Sequence, residues 1–442
     1  MPRGAAAVLS VLLLSLAAGC DSGDGQATGG AGGKPSQARE ARGEQAAAIA
    51  GPALREHLRS LQLIAREAGG NRAAGTPGDR ASVAYVSARL REAGWRVRRQ
   101  SLRFPYYRER SSSLTVGGRR LRRGVRFGVL AYSGSGRVSG RSRRFGTGCA
   151  RSDFAGLRRG EIAVADRGDC FFRVKAENAE RSGAAALLIA NDPGEAGVPS
   201  ATLGRVGFRI PVLVVNGDVP LAEGTPVALV VDAQSERRRT HNVIAETRGG
   251  GGGRVVMAGA HLDSVPSGPG INDNGSGVAA LLEAAEALGP RPPGARLRLA
   301  FWGAEELGLL GSRRYVRGLG TGGRRQIAAY LNFDMVGSPN ARPAVYSDGD
   351  PSLARLLRGA TGRRLPGAST RGSSDHAPFL EAGIPVNGLY TGAGETGPGG
   401  KPADPCYHRA CDGVGNVDPA VLVEMARAAA AALRRLSARE GG

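Results

Sequence analysis

Apolar residues recur along this chain on more than one period, and the changes of period divide it. Leu54, Leu58, Leu61 and Ala65 stand at helical spacing, and the stretch GWRVRRQSLRF at 94–104 then alternates as a strand does. In the second half, short apolar runs replace alternation. RVVMAGAHLD predicts a buried strand ending at His261. RLRLAFWGAEELG predicts a second, ending at Glu305 and Glu306, QIAAYLNFDMVG a third, ending at Asp334, and GIPVNGLY a fourth. Val278, Leu281, Leu282, Ala285 and Leu288 mark a helix after the first strand, and further helices are expected around 307–318 and 351–360. Strands alternating with helices predict an α/β sheet with parallel strands. Ligands of such sheets gather beyond the carboxyl ends of the strands, where each of these histidines and carboxylates falls.

The N-terminus follows a different logic. Arg3 precedes the apolar run AAAVLSVLLLSLAAG, which is too short and wrongly flanked for a transmembrane helix, so residues 1–19 read as a secretory signal. Cys20 directly follows Ala17-Ala18-Gly19 and resembles the acylated cysteine of a bacterial lipoprotein, although Ala17 stands where leucine is usual. The expected location is therefore extracytoplasmic, with a lipid anchor to the outer face of the cell membrane. Ordinary cleavage and secretion is the alternative. Residues 20–48 are Gly/Ala/Gln/Ser-rich without apolar periodicity and read as a flexible tether, with folded sequence from Ile49.

A chain of 442 residues with 41% hydrophobic residues suits two or three folded units with sizeable cores. Its net charge of +21 changes the picture only locally. Lys34, Lys175 and Lys401 are the only lysines, as in a GC-rich genome that favours arginine codons. Residues 96–144 carry fifteen arginines and one acid, Glu109. That stretch is a candidate polyanion contact, but no aromatic stacking platform accompanies it, so no specific nucleic-acid partner is expected. Export permits disulfides, and the cysteines beyond Cys20 fall as Cys149 with Cys170 and Cys406 with Cys411. A zinc site made of these four is the competing reading, against which their spacing lacks a CxxC.

The candidate chemistry centres on AGAHLDSVPSGPGINDNGSG at 258–277. His261, Asp273, Glu306, Asp334 and His408 form a set of imidazole and carboxylate groups of the kind that holds catalytic zinc. Five ligands exceed the need of one such ion and suit two ions about 3.5–4 Å apart that share a carboxylate. Asp263 is placed to hold the other ring nitrogen of His261. Taken singly, each residue has a plainer reading as a solvated loop acid or a cap, and Asp273 could cap the helix that follows.

In order, HLDSVPSGPGINDNGSG, FWGAEELGLLGS, YLNFDMVGSPN, SSDHAPF and CYHRACD resemble the secreted bacterial di-zinc aminopeptidases of the leucyl aminopeptidase type. The wider family includes glutamate carboxypeptidases, glutaminyl cyclases and receptors that have lost the metals. The resemblance implies a three-layer α/β zinc-peptidase domain with a mixed, mainly parallel central sheet, built from 49–110 and 237–440. It implies two Zn2+ per chain, with His261 and Glu306 mainly on different ions, Asp273 bridging, and Asp334 and His408 completing one set each. Glu305 would be the general base that takes a proton from the attacking water and returns it to the leaving amine. Tyr407, in the loop between Cys406 and Cys411, would hydrogen-bond the oxyanion, unless it is a packing aromatic. The substrates implied are peptides with a free N-terminus and an apolar, leucine-like first residue. His376, His57 and His241 take no part in the pattern and read as structural.

Two departures matter. Relatives read Gly-Arg-Ser-Asp-His where this chain has Gly372-Ser373-Ser374-Asp375-His376, so a contact made by that arginine is lost or supplied elsewhere. Val423 and Arg427 replace the acids through which some relatives bind calcium, so calcium activation is not expected. Residues 111–236 interrupt the peptidase portion. EIAVADRGDCFFRVKAENAERSGAAALLIANDPG resembles the protease-associated (PA) domain, a smaller α/β module of strand, Arg-Gly-x-Cys turn, helix and strand. Such modules sit beside active sites as lids or substrate surfaces; an insertion that merely packs is the plainer reading. A carboxypeptidase or glutaminyl-cyclase-type enzyme on the same scaffold, or a non-catalytic cell-surface binding protein, remains as an alternative function.

Overall fold

The helical spacing at the start of the folded chain builds α1 (Gly51–Glu67), which buries Leu54, Leu58, Leu61 and Ala65. The computed structural model describes residues 49–441 apart from 196, 293 and 371, so the signal at 1–19, Cys20 and the tether to residue 48 lie outside the described residues. Helix α2 (Pro77–Glu92) starts at Thr76, whose hydroxyl accepts the Asp79 N–H at 3.3 Å. Strand β1 (Arg96–Val116) then continues well past the expected end at residue 104.

Beyond it lie β2 (Arg119–Arg120), β3 (Phe127–Val129), β4 (Gly136–Arg144), β5 (Ile162–Asp166), α3 (Phe172–Arg181), β6 (Ala186–Ala190) and β7 (Val212–Val215). Alternation along β5 sends Ile162 and Val164 to one face of this small sheet. Ala163 and Ala165 go to the other face, against Ala176 and Ala179 of α3. A disulfide joins Cys149 to Cys170 beside α3. Strand β8 (Pro226–Glu246) leads back, pairing antiparallel with β1 from Arg96↔Glu246 to Val116↔Val227, with one bulge between Glu109 and Ser111. One end of β8 also pairs with β4 and the other with the main sheet, so a single long ribbon enters and leaves the insertion.

The remaining elements are β9 (Gly251–His261), α4 (Gly277–Leu288), β10 (Ala295–Trp302), α5 (Leu310–Arg317), α6 (Thr321–Gln326), β11 (Ile327–Phe333), β12 (Ala344–Tyr346), α7 (Pro351–Thr361), β13 (Gly367–Ala368), α8 (Ala377–Glu381), β14 (Val386–Tyr390) and α9 (Pro419–Glu440). Parallel pairings join β10 to β9, β9 to β11 and β11 to β14, while β8 and β12 attach antiparallel on either side. The sheet is thus mixed and parallel at its centre. One face carries Val256, Leu299 and Leu331 against α1, α4 and α9. The other packs Met257, Trp302 and Tyr330 against Tyr315 of α5 and Phe379 of α8. No described helix is long and apolar enough to cross a membrane.

This strand order brings the candidate residues together. In the sequence β11–β9–β10, three adjacent parallel strands end side by side. His261 closes β9, Asp334 follows β11 by one residue and Glu305 follows β10 by three.

Arg72, fully buried in the α1–α2 connection, pins the loop after β9. Its guanidinium donates to the carbonyls of Leu262, Pro269 (2.9 Å) and Gly270 (2.5 Å), and its own N–H donates to Ser264 Oγ at 2.9 Å. Only a planar fork with five donors serves three carbonyls at once. Arg72→Met should therefore cost about 3 kcal/mol by leaving buried carbonyls unpaired. Thermal unfolding should show a lowered Tm, and an unchanged Tm would refute this role.

Candidate metal centre

The five expected ligands converge. His261 Nε2 lies 3.0 Å from Asp273 Oδ1 and 3.3 Å from Asp334 Oδ1. The other oxygen of the same carboxylate, Asp273 Oδ2, lies 3.2 Å from His408 Nε2, which is also 3.2 Å from Glu306 Oε2. The result is two three-residue groups, His261–Asp273–Asp334 and Asp273–Glu306–His408, with the ligand atoms of each within 4.8 Å of one another. Asp273 belongs to both.

Local structure explains how Asp273 is free to face two ways. Gly270 takes a left-handed φ of +63°, and a Cβ there would stand 2.4 Å from Asp273 O, so the turn accepts glycine alone. The following peptide, Asp273–Asn274, is cis. The N-terminal contact of α4 falls to Asn274, whose Oδ1 accepts the Gly277 N–H at 2.9 Å, and not to Asp273, whose capping was the plainer reading of its position. Asp412 accepts the Asn272 N–H at 2.8 Å and the Asp273 N–H at 3.1 Å. Because Asp412 follows Cys411, it also docks the disulfide-closed loop carrying His408 onto the Asp273 turn.

Asp263 meets the other ring nitrogen of His261 through its backbone. The backbone carbonyl of Asp263 lies 3.0 Å from His261 Nδ1, while its carboxylate is 4.0 Å away and accepts the Glu305 N–H at 3.0 Å. One residue thus orients both the histidine and the backbone of Glu305. Asp334 is held from behind by a buried chain of hydrogen bonds. Trp302 Nε1 donates to Tyr330 OH at 2.8 Å, and Tyr330 donates to Asn332 Oδ1 at 2.8 Å. Asn332 Nδ2 donates to Ser374 Oγ at 2.8 Å, and Ser374 donates to Asp334 Oδ2 at 2.7 Å. Gly259 gives this chain room, since a Cβ there would lie 2.3 Å from Tyr330 OH. Neither Ser374 nor Asp412 was singled out as a site residue, although both stand in the quoted motifs.

The electrostatics are those of an acidic cluster. Burial raises Glu306 to about 7, with Asp273 adding to the effect. Burial also pushes Glu305 well above the ordinary range, opposed by His261 and reinforced by Asp375, Asp334 and Glu306. Hydrogen bonds to Asp273 and Glu306 raise His408 to about 10. Burial alone would lower His261, but Asp334, Glu305 and Asp273 outweigh it and raise its pKa. Asp334 Oδ1 and Glu306 Oε1 are buried without a hydrogen-bond partner among the described residues, and each belongs to one of the two groups. Buried carboxylates in such excess call for cations, and the donor set of imidazole nitrogen and carboxylate oxygen suits zinc.

A cavity of about 600 Å3 opens over these residues, lined also by Leu309, Met335, Tyr346, Tyr390, Glu395 and Tyr407. Tyr407 is 36% exposed and stacks on His408 with ring centroids 3.9 Å apart. Burial, then Asp273 and Asp334, raises its pKa, so the phenol keeps its proton. His376, His57 and His241 stand apart. His376 packs on Tyr346 and meets Thr370 Oγ1 at 3.0 Å, His57 bridges Tyr85 and Glu283, and His241 lies on the β1–β8 ribbon.

Removing the hydroxyl behind Asp334 should loosen that carboxylate while leaving every candidate ligand in place. Ser374→Ala should weaken zinc binding about 10- to 100-fold in a chelator competition. Wild-type affinity would show that the hydrogen-bond chain does not orient Asp334.

The family is shown by comparison. Residues 242–433 match the model of peptidase family M28 and residues 138–221 that of the PA domain. The chain is 40% identical over 416 residues to an aminopeptidase of Pseudomonas aeruginosa, covering 83% of this chain and 77% of that one. It is 37% identical over 412 residues to a probable lipoprotein aminopeptidase, LpqL, of Mycobacterium tuberculosis, covering 84% and 81%. Its fold is similar to that of BSAP, a zinc aminopeptidase from Bacillus subtilis, with a TM-score of 0.59, 26% identity and coverage of 88% and 95%. With two histidine–carboxylate groups that could each hold a metal ion and a PA module inserted through the β1–β8 ribbon, the chain belongs to peptidase family M28.

Proposed function

We propose that the protein is an exported aminopeptidase that uses two zinc ions to remove apolar, leucine-like residues from the N-termini of peptides. The observation that carries this reading is Asp273, whose two oxygens each face a different histidine. Zinc held by the two groups would polarise the scissile carbonyl and acidify water. Glu305 faces the same cavity, its side chain free of any hydrogen bond among the described residues. It takes the proton of the attacking water and delivers it to the leaving amine. Tyr407, protonated and held beside His408, donates to the oxyanion.

The cavity also favours a free amine over a carboxylate. Asp273, Glu305, Glu306, Asp334 and Glu395 all line it. Besides His261 and His408, Arg313 is its one cationic side chain among the described residues, and Glu381 already holds that guanidinium at 2.8 and 3.1 Å. A carboxypeptidase needs a cation free to take the terminal carboxylate. A glutaminyl cyclase normally works with one zinc, and the two groups sharing Asp273 argue for more. Leu309, Met335 and Tyr346 supply the apolar wall for the first side chain.

The domain reading places the peptidase at 49–110 and 237–440 and the PA module at 111–236. The bulge between Glu109 and Ser111, where the ribbon register shifts, supports the first of these junctions. The two disulfides and the lipoprotein relative support an extracytoplasmic location with acylation at Cys20.

Purified protein should release p-nitroaniline from leucine-p-nitroanilide and leave the N-acetylated substrate intact. Chelation should abolish turnover and zinc should restore it. Glu305→Ala should retain zinc while losing about 10³-fold or more in kcat. No turnover by folded, zinc-loaded protein would sink the aminopeptidase reading.

A further inference from the structure

The arginine-rich ribbon takes no part in the chemistry above, and its surroundings suggest a use. Between the pairings of β8 with β4, which end at Val231, and with β10, which begin at Val243, β8 is paired, among the described residues, with β1 alone. There Arg103 stands directly opposite Arg239, and Pro105 opposite Arg237. Like charges opposed across a ribbon destabilise it, so the arrangement calls for an anion.

A groove of about 610 Å3 lies between this ribbon and the start of α2, lined by Arg80, Arg108, Arg237, Arg238 and Arg239 against one acid, Glu236. Glu236 is taken by Arg238 at 2.8 Å, and Arg238 also covers the Tyr106 ring, 3.3 Å from its centroid. Arg80, Arg108, Arg237 and Arg239 are exposed, with no ion pair among the described residues. With Tyr106 covered by Arg238, no tyrosine, phenylalanine or tryptophan among the groove's described lining residues is left open to stack a base, which disfavours nucleic acid.

Its position relates it to the metal centre. Pro266 lines the groove. The next residues of the same loop press on the His408 loop, where Ser267 Oγ donates to His408 O at 2.8 Å and a Cβ on Gly268 would stand 2.1 Å from Arg409 O. One loop therefore walls the groove and braces the loop that carries His408, in which Arg409 is exposed.

We propose that the groove binds acidic residues in the downstream part of peptide substrates whose N-terminus occupies the metal centre. This rests on the aminopeptidase reading and adds a substrate class to it. The carboxylates around the metals disfavour acids in the first positions, and the arginines beyond the loop favour them further along. A decapeptide extends to about 33 Å, the reach that the test below gives the substrate.

Two decapeptides, Leu-Gly-Ser-Gly-Ser followed by five glutamates or five lysines, test this by release of leucine. At low salt the acidic peptide should be favoured in kcat/KM by about tenfold or more. The ratio should fall toward one at high salt, where the Debye length shrinks to about 3 Å. Arg237→Glu with Arg239→Glu should collapse it, and the milder Arg237→Gln with Arg239→Gln should lower it partway. Arg119→Glu with Arg120→Glu, the same charge change on β2, should preserve it. A wild-type ratio near one, or an equal collapse in the β2 variant, would overturn the groove. Leucine-p-nitroanilide is too short to reach it, so failure to turn over that substrate would strike the aminopeptidase reading, and its turnover by every variant shows that each is folded.

Discussion

The structure turns on a buried carboxylate that must serve two histidines. Asp273 Oδ1 faces His261 and Oδ2 faces His408, with Asp334 and Glu306 completing the two groups. Burying so many acids is unfavourable unless cations and hydrogen bonds compensate. The surrounding architecture supplies the hydrogen bonds. Asp412 takes the Asp273 N–H, Ser374 holds Asp334, and Arg72 fixes the loop that returns from β9 toward the turn. Asn274 takes the helix-start contact that would otherwise occupy Asp273. His261, Glu305 and Asp334 themselves sit at or just beyond the ends of three adjacent parallel strands.

Much of this was legible in the residues. Apolar runs ending in His261, Glu305 and Asp334 imply strand ends, and a parallel sheet collects strand ends on one edge. The four-position spacing from Leu54 to Ala65 reads directly as a buried helix face, and α1 buries those positions. What was not legible depends on partners remote in sequence. Arg72 finds its carbonyls some 190 residues later, and Ser374 finds Asp334 40 residues earlier. Nothing local distinguishes either from a surface residue. Asp263 shows a subtler limit: spacing placed it beside His261, but only backbone geometry decides that its carbonyl meets the ring while its carboxylate turns to Glu305.

The ribbon of β1 and β8 escaped for a different reason. Strand prediction relies on one buried face, and the middle of this ribbon alternates arginine with other polar and aromatic side chains that are largely solvated. The alternation therefore stops at Phe104, whereas the strand stays paired as far as Val116. The same solvated arginines that hide the strand form the basic groove, so the feature least visible as structure is the one that bears on substrate choice under the proposed reading.

The most direct measurement is zinc content per folded chain, by elemental analysis of gel-filtered protein. The account predicts two ions in the wild type, one in Glu306→Gln and none in Asp273→Ala, because Asp273 belongs to both groups. A wild type with one ion, or Asp273→Ala retaining one at full occupancy, would contradict the shared carboxylate.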